Sequence, residues 1–358
     1  MIRVTAQMTP VASLADEEAW QAREAYPEIR SAGGPVFGVA REREEGGWEI
    51  QPHFSGTEPQ DARDSMAAIF RRRAHAAEQA GDQAAVEECL AAAERLDWET
   101  IDEMTVLGER YRVVRAESFI RSGPEGPEPP RPSDPDPARP GESHRVPDPT
   151  DGFVIDPLTA TGLSEGMLKV ELLSLVPREG SVPPGVRADA LRAAQTHPGG
   201  VLLPPAFMTA EEKDGDWVPH TPGTSTTPQA ARDALTMYLR VLAPVVEKLG
   251  RAEREEYARA ADLLDERRGA DVEFAGRHLR VVRVERLVRI GPDGPEGPRP
   301  SDVSTQPPVS LHVQQLKEQG LWDEEDDSAE PEPSEEMKEF HRLWEKERLR
   351  RERRNADG

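Results

Sequence analysis

Residues 111–134 have the sequence YRVVRAESFIRSGPEGPEPPRPSD, and residues 279–302 have the sequence LRVVRVERLVRIGPDGPEGPRPSD. The two stretches are identical at 16 of 24 positions, at a constant offset of 168 residues. Each begins as a run of β-branched and charged residues typical of a strand and ends in a proline-rich segment. Because similarity at a fixed period is the mark of a repeated unit, the pair predicts that one folding unit occurs twice.

The match extends upstream of these stretches. PQDARD at 59–64 returns as PQAARD at 228–233, and Trp48 returns as Trp217 after a similar Gly-Gly or Gly-Asp pair. Proline runs alone cannot account for these matches, since the matching residues lie outside the proline-rich segments. We therefore predict five parts, which are a first copy at 1–122, a Pro-rich linker at 123–165, a second copy at 166–290, a Pro-rich exit with a short helix at 291–322, and a charged tail at 323–358.

The periodicity of each copy predicts the same elements in the same order. Alternating apolar residues predict a strand at 2–8 and again at 168–172, and a helix follows at 15–25 and 186–195. A strand pair, a helix hairpin opened by Pro59 or Pro228, and a closing strand pair complete each copy. The predicted fold class is α+β, with two tandem pseudo-symmetric copies, each an antiparallel sheet with helices on one face.

Composition excludes several classes of protein. The 358 residues carry a net charge of −23, which disfavours both nucleic acid and an anionic membrane surface as partners. No run approaches the ~20 apolar residues of a membrane span, and the N-terminus lacks the pattern of a signal peptide. The single cysteine, Cys89, excludes an internal disulfide and suits a reducing compartment, so we expect a cytoplasmic protein.

No linear motif for catalysis, a cofactor or a metal is present. The eight histidines form no HExxH or HxH pattern, and Cys89 lies beside two glutamates that oppose thiolate formation. Walker, GxSxG and GxGxxG motifs are missing, and the Gly-rich pieces carry proline where a phosphate loop needs N–H groups. We expect no cofactor and no metal, and the sequence leaves catalysis open while favouring a non-enzymatic role.

The closing strands supply the best candidate for a functional surface. Residues of the same parity on an unbulged strand share a face, which applies here to Arg115, Glu117 and Arg121 in the first copy and to Arg283, Glu285 and Arg289 in the second. One interpretation is cross-strand ion pairing on a solvated face of the sheet. The other is a contact surface for an anionic ligand or an acidic protein segment, because arginine binds carboxylates bidentately. The acidic run 323–336 is a possible internal partner.

The tail combines two opposite segments. Residues 323–336 carry nine acids and predict disorder, whereas residues 335–354 have the composition of a helix with a basic second half. Phe340 and Trp344, four residues apart, form an apolar stripe that could dock in a groove of a partner, or could be incidental on a solvated helix.

The strings PQ-ARD, RVVR, GPDGPEGPRPSD and HPGGVLLPPAFMTAE resemble an actinobacterial family of uncharacterised cytoplasmic proteins with a domain of unknown function. The resemblance runs from the N-terminus to about residue 302 and implies no activity, so no functional residue is carried over from it. Our leading hypothesis is a non-enzymatic module that binds or regulates another macromolecule, most simply a protein. The alternative is a small-ligand binder or an enzyme whose site lies between the two copies, where pockets are common. The sequence leaves the oligomeric state open.

Overall fold

A computed structural model describes residues 3–5, 9–220, 223–322 and 333–356. The strands of this part of the chain form one sheet of thirteen strands in which every strand pair is antiparallel. Helices and strands are both abundant, so the α+β class predicted from the sequence is confirmed.

The first part of the chain, up to the first proline-rich segment, contains three helices and six strands. They are α1 (Pro10–Ala25), β1 (Glu28–Ser31), β2 (Val36–Glu42), β3 (Trp48–Ile50), α2 (Pro59–Ala80), α3 (Gln83–Trp98), β4 (Glu103–Val106), β5 (Glu109–Gly123) and β6 (Gly126–Pro127). A connection follows with a 3₁₀ turn (Ser143–Arg145), β7 (Val154–Ile155) and α4 (Leu163–Ser174).

The second part presents comparable elements in the same order. They are α5 (Pro184–Thr196), β8 (Gly199–Leu202), β9 (Ala206–Lys213), β10 (Asp216–Pro219), α6 (Pro228–Met237), a π-helical turn (Tyr238–Leu242), α7 (Ala243–Val246), α8 (Arg251–Arg267), β11 (Asp271–Phe274), β12 (Arg277–Gly291) and β13 (Gly294–Pro295). Beyond them lie α9 (Val309–Glu318) and α10 (Glu335–Ala356). We call residues 9–122 the first half and residues 166–290 the second half.

Local sequence explains where the principal helices begin and end. Pro59 and Pro228 occupy the first turn of α2 and α6, as predicted, because proline lacks an N–H that would have no partner there. The Asp61 carboxylate accepts the backbone N–H of Glu58 (3.1 Å), and the Thr227 hydroxyl accepts that of Ala230 (3.1 Å). Gly81 ends α2 in the left-handed conformation, with φ at 76°.

The long strands β5 and β12 join the two halves. They pair antiparallel, with residues 116–119 opposite 285–288. Ser118 lies directly opposite Arg286, and these two residues are 168 positions apart, which is the offset of the sequence repeat. A pseudo-two-fold axis relating the halves would therefore pass between Ser118 and Arg286. The division of the chain into separate domains stays a prediction, since the sheet is continuous across the halves.

Each half has its own apolar core on the helical side of the sheet. In the first half α2 and α3 cover β2 and β5, with Met66, Phe70 and Leu96 fully buried. In the second half α6 and α8 cover β12, with Leu235 and Leu264 buried. Cys89 is buried in the first of these cores, where burial raises the pKa of its thiol.

The strand predicted at 168–172 is wrong, because these residues lie inside α4. Leu168 and Leu172 are buried and four residues apart, as on one face of a helix, whereas Val170 between them is 59% exposed. Of the matching strand predicted at 2–8, the structure describes only residues 3–5, where Val4 forms an isolated bridge with Thr161. The remainder of that prediction lies outside the described residues.

The proline-rich segments 123–134 and 291–302 each pack on the other half. The N–H of Arg283 donates to the carbonyl of Glu128, and the N–H of Arg115 donates to the carbonyl of Glu296, both at 2.9 Å. Both segments therefore lie against the folded surface of a half. The proline-rich segment that follows each half therefore hydrogen-bonds to the long strand of the other half.

Two tryptophans hold these crossing segments. The Trp48 indole lies beside Gly294, with the Arg112 guanidinium 4.9 Å from its ring centroid. The Trp217 indole lies beside Gly126, with the Arg280 guanidinium 5.0 Å away. We call these the two tryptophan clasps. In one clasp a tryptophan of the first half contacts the segment that follows the second half. In the other clasp the roles of the two halves are exchanged.

Candidate functional site

The six charged residues predicted on the closing strands do not lie on a solvated face. Arg115, Arg121, Arg283, Glu285 and Arg289 are all buried, and Glu117 is nearly so. The expectation of a solvated face is therefore wrong, because helices α1 and α4 and the two proline-rich segments cover it. The expected pairing of these charges does occur, although it takes place in the interior.

The buried charges form two clusters with corresponding positions. Cluster A contains Arg115, Glu117, Arg289, Glu296, Arg299 and Asp302. Cluster B contains the residues 168 positions away, which are Arg283, Glu285, Arg121, Glu128, Arg131 and Asp134. Each cluster holds three arginines and three carboxylates, so each is neutral overall.

Cluster A is closed around Glu117. The carboxylate contacts Arg289 (3.1 Å), Arg299 (3.0 Å) and Arg115 (3.2 Å). Burial raises the pKa of Glu117, but the three guanidinium groups outweigh burial and hold it below its usual value. Asp302 fixes Arg115 from the proline-rich side at 2.8 Å.

Cluster B is built in the same way around Glu285. Arg283 pairs with Glu285 and reaches Asp134 at 3.1 Å, while Arg131 lies 3.4 Å from Glu285 and 2.6 Å from Glu128. Burial raises the pKa of Glu285, yet the neighbouring arginines prevail and lower it. Glu285 is therefore an ionised acceptor at neutral pH.

The clusters differ in one arginine. Arg289 stays on Glu117 and also donates to the carbonyls of Leu173 (3.1 Å) and Leu175 (3.5 Å) at the end of α4. Its counterpart Arg121 turns away from Glu285 and pairs with Glu171 of α4 at 2.7 Å. The departure of Arg121 leaves cluster B open on one side.

A cavity of about 560 Å³ lies on this open side. Its floor includes Arg121, Arg131, Arg283 and Glu285, so three of the residues predicted from the sequence come together there. Its walls come from α1, from the first turns of α4 and from the apolar run 201–205. Both halves contribute, and the volume falls within the range usual for sites of small ligands.

Small residues of α1 keep the cavity open. Ala12, Ala15 and Ala19 face it at the spacing of one helix face. A larger side chain at Ala15 would project into the space. Further along the same helix, Arg23 reaches the cavity and shares Glu171 with Arg121, at 2.7 Å from each.

Several of these residues were missed in the sequence. Glu128, Arg131 and Asp134 belong to the 16 positions shared by the two repeats, so the repeat itself carried a signal for them. Lys169 and Glu171 were hidden because the segment around them was interpreted as a strand. Arg23 and Asp16 have no linear signal, since only the packing of α1 on α4 brings them to the cavity.

Phe340 and Trp344 lie far from this cavity, on α10. The helix predicted at 335–354 is confirmed and packs on the second half. Ion pairs anchor it there, since Glu347, which is 3% exposed, contacts Arg240 (3.3 Å) and Arg350 contacts Asp265 (2.7 Å). Trp344 is 42% exposed. A partner contact at these two aromatic residues stays a prediction, and the segment 323–332 lies outside the described residues.

In the described ranges no group of three or more His, Cys, Asp or Glu side chains is placed to hold a metal ion. Nor is any helix there sufficiently long and apolar to cross a bilayer.

No curated protein and no solved structure matches the chain. A family profile does match, and it spans residues 9–305, which include both halves, both clusters and the cavity. The match confirms the resemblance to an uncharacterised family, and the chain therefore belongs to the family of unknown function DUF5954.

Proposed function

We propose that the protein is a binding module without catalytic chemistry of its own, and that a small molecule occupies the cavity between its halves. The observation that carries this proposal is the opened cluster B, where Arg121, Arg283 and Glu285 form the buried charged floor of a 560 Å³ cavity. Their ion pairs offset the cost of burying these charges. Here they line a space large enough for a ligand.

The chemistry of the lining favours binding over catalysis. Glu285 is held ionised by arginines and cannot donate a proton at neutral pH. The Ser164 hydroxyl donates to the carbonyl of Asp16 at 2.8 Å, so it is not activated by a base. None of the residues that line the cavity in the described structure is a histidine or a cysteine.

A contact with a partner protein through α10 is the second candidate. It is favoured by the exposure of Trp344 (42%) and Met337 (48%) on a helix that is otherwise anchored by ion pairs. Capture from native cytosol with the full chain and with Trp344→Ala tests it. Loss of a stoichiometric partner with the variant supports this candidate, and identical capture with both proteins contradicts it.

We also propose that the halves are copies of one ancestral unit, as the repeats predict. The order of elements and the correspondence of clusters A and B support this. A further support is an ion pair with reversed signs. Arg41 and Glu109 pair at 2.6 Å in the first half, and Glu211 and Arg277 pair at 2.7 Å at the matching strand positions of the second half.

Thermal unfolding with a panel of small organic acids, amines and zwitterions tests the cavity proposal. At least one compound should raise the melting temperature in a saturable manner, since a ligand at 100 times its Kd stabilises by about 2.7 kcal/mol. Ala15→Leu should abolish the shift by filling the cavity. Ala76→Leu, a matched change on the exposed face of α2, should leave the shift intact. Equal shifts in both variants, or no shift with any compound, would contradict the proposal.

A further inference from the structure

The cavity has unpaired carboxylates towards one end and guanidinium groups towards the other. Helices α1 and α4 lie side by side and run in the same direction, since Asp16 contacts Ser164 (2.9 Å) and Arg23 contacts Glu171 (2.7 Å) at the same residue offset. Seven residues of α-helix separate Asp16 from Arg23, which corresponds to about 10 Å along the axis. The cavity extends along this length, with Asp16 towards one end and Arg23 towards the other.

The acidic end has carboxylates without cationic partners. Asp16 accepts the N–H of Ser164 at the start of α4, and Asp156 accepts the N–H of Leu158 at 2.8 Å. Within the described ranges neither carboxylate forms a salt bridge, whereas the nearby Glu165 pairs with Lys169 at 2.9 Å. This end therefore carries an excess of negative charge.

A hydroxyl without a partner lies at the same end. Thr161 lines the cavity and is only 4% exposed, and its Oγ1 has no hydrogen-bond partner among the residues that the structure describes. Burying a hydroxyl without a hydrogen bond is unfavourable. A ligand group at this end would satisfy it.

The other end of the cavity is lined by arginines. Arg23 and Arg121 share the single carboxylate of Glu171. Burial raises the pKa of Glu171, but the two guanidiniums outweigh it and hold it low, so this carboxylate is ionised. Both guanidiniums line the cavity, and in the described ranges Glu171 is the one carboxylate with which either forms a salt bridge. A terminal carboxylate of a ligand can bind such a pair of guanidiniums with bidentate geometry.

We propose that the ligand is a short peptide of two or three residues with free termini, a proposal that rests on ligand binding in this cavity. The N-terminal ammonium lies between Asp16 and Asp156, and the C-terminal carboxylate lies at Arg23 and Arg121. An extended chain advances about 3.3–3.6 Å per residue, so three residues span the ~10 Å between the charged ends. The apolar wall at 201–205 and Leu168 contact the peptide side chains.

Titration calorimetry with Ala-Ala-Ala, its N-acetyl form, its C-terminal amide and the doubly blocked form tests this assignment. The free tripeptide should bind, and each blocking group should weaken binding about tenfold or more, because it removes one charge. Ala15→Leu should abolish binding. Asp16→Asn keeps an acceptor for the start of α4 and should remove the preference for a free N-terminus, while the exposed neighbour change Glu17→Gln should not.

The outcomes separate this inference from the proposed function. Equal affinity for free and blocked peptides overturns the peptide assignment but leaves the cavity as a binding site. The same conclusion follows if no peptide binds while another compound shifts the melting temperature in an Ala15-dependent way. If neither peptides nor any compound binds, both proposals fail.

Discussion

Adding one methyl group at Gly294 should break a tryptophan clasp. Gly294 has φ of +112°, and a Cβ there would lie 2.6 Å from Nε1 of Trp48. A non-glycine residue at positive φ costs about 1–2 kcal/mol. Overpacking a fixed ring adds about 1–3 kcal/mol. We therefore expect Gly294→Ala to lower the free energy of unfolding by about 2–5 kcal/mol.

The control and the counterpart of this change are both in the chain. Gly33 has φ of +87° with nothing within 4 Å of its Cβ position, so Gly33→Ala carries the backbone strain alone. Gly126 has φ of +101° and a Cβ position 2.5 Å from Nε1 of Trp217, so Gly126→Ala should cost about as much as Gly294→Ala. Urea unfolding of the three variants at equal m-values measures the difference. If Gly294→Ala is no less stable than Gly33→Ala, the proline-rich segment is not held by the clasp and the reasoning is refuted.

Three further changes probe the buried charges. Glu347→Gln should release α10 from the second half, because the neutral amide cannot neutralise the arginines around it. The release would be measured as faster amide exchange over 335–356. Glu352→Gln, on the exposed face of the helix, should leave the exchange unchanged. Arg286→Met should cost at least about 2 kcal/mol less than Arg283→Met in urea unfolding. Among the described residues the Arg286 side chain hydrogen-bonds to Pro204 O and Thr150 Oγ1 and pairs with no carboxylate, and burial lowers its pKa to about 10. Removing Arg283, by contrast, leaves buried carboxylates unpaired. Burial raises the pKa of Glu211, but hydrogen bonds and charges of neighbouring basic groups lower it to about 2, so Glu211 stabilises the fold above pH 4.5 and loses that contribution as the pH falls towards 2. The difference in unfolding free energy between the native chain and Glu211→Gln should accordingly shrink over that interval, and a constant difference would show that Glu211 is not held ionised.

Much of the fold was predictable from local periodicity. The prolines that open α2 and α6, the turns at Gly108 and Gly276, and the order of strand pair, helix hairpin and closing strand pair all follow from residue-by-residue patterns. Each of these features is determined by residues close together in the chain, so the sequence alone is sufficient to predict them. The short strands β1 and β8 were missed, because they pair only with distant ends of β5 and β12.

The α4 segment shows how a pattern can mislead. Leu168, Val170 and Leu172 alternate as in a strand, but Leu168 and Leu172 also fit the i, i+4 spacing of a helix. The choice is decided by tertiary packing, where both leucines lie against Phe119 and Leu287. No short window of sequence contains that information.

The burial of the charged residues was equally out of reach. Parity correctly grouped Arg115, Glu117 and Arg121 on one face, and an alternating charged strand usually faces water. Here the charges of each half are neutralised by the proline-rich segment that crosses to it, such as Asp302 on Arg115. Since the crossing joins residues as far apart as Arg115 and Asp302, which are 187 positions from each other, only the tertiary structure shows that the face is enclosed.

The element without a counterpart is the one that creates the cavity. Nothing in the described first half corresponds to α4. The two clusters make different contacts with this helix. Its C-terminal end closes over cluster A, where Arg289 donates to the carbonyls of Leu173 and Leu175. Its Glu171 draws Arg121 out of cluster B, and its first turns line the space that results. The matching contacts of clusters A and B thus pair the buried charges of both halves, whereas α4, which contacts the two clusters differently, accounts for the opening beside cluster B. The repeats contain the residues on the floor of this cavity but not those of α4 in its walls, which is why the shared motifs led to the clusters and to only part of the cavity.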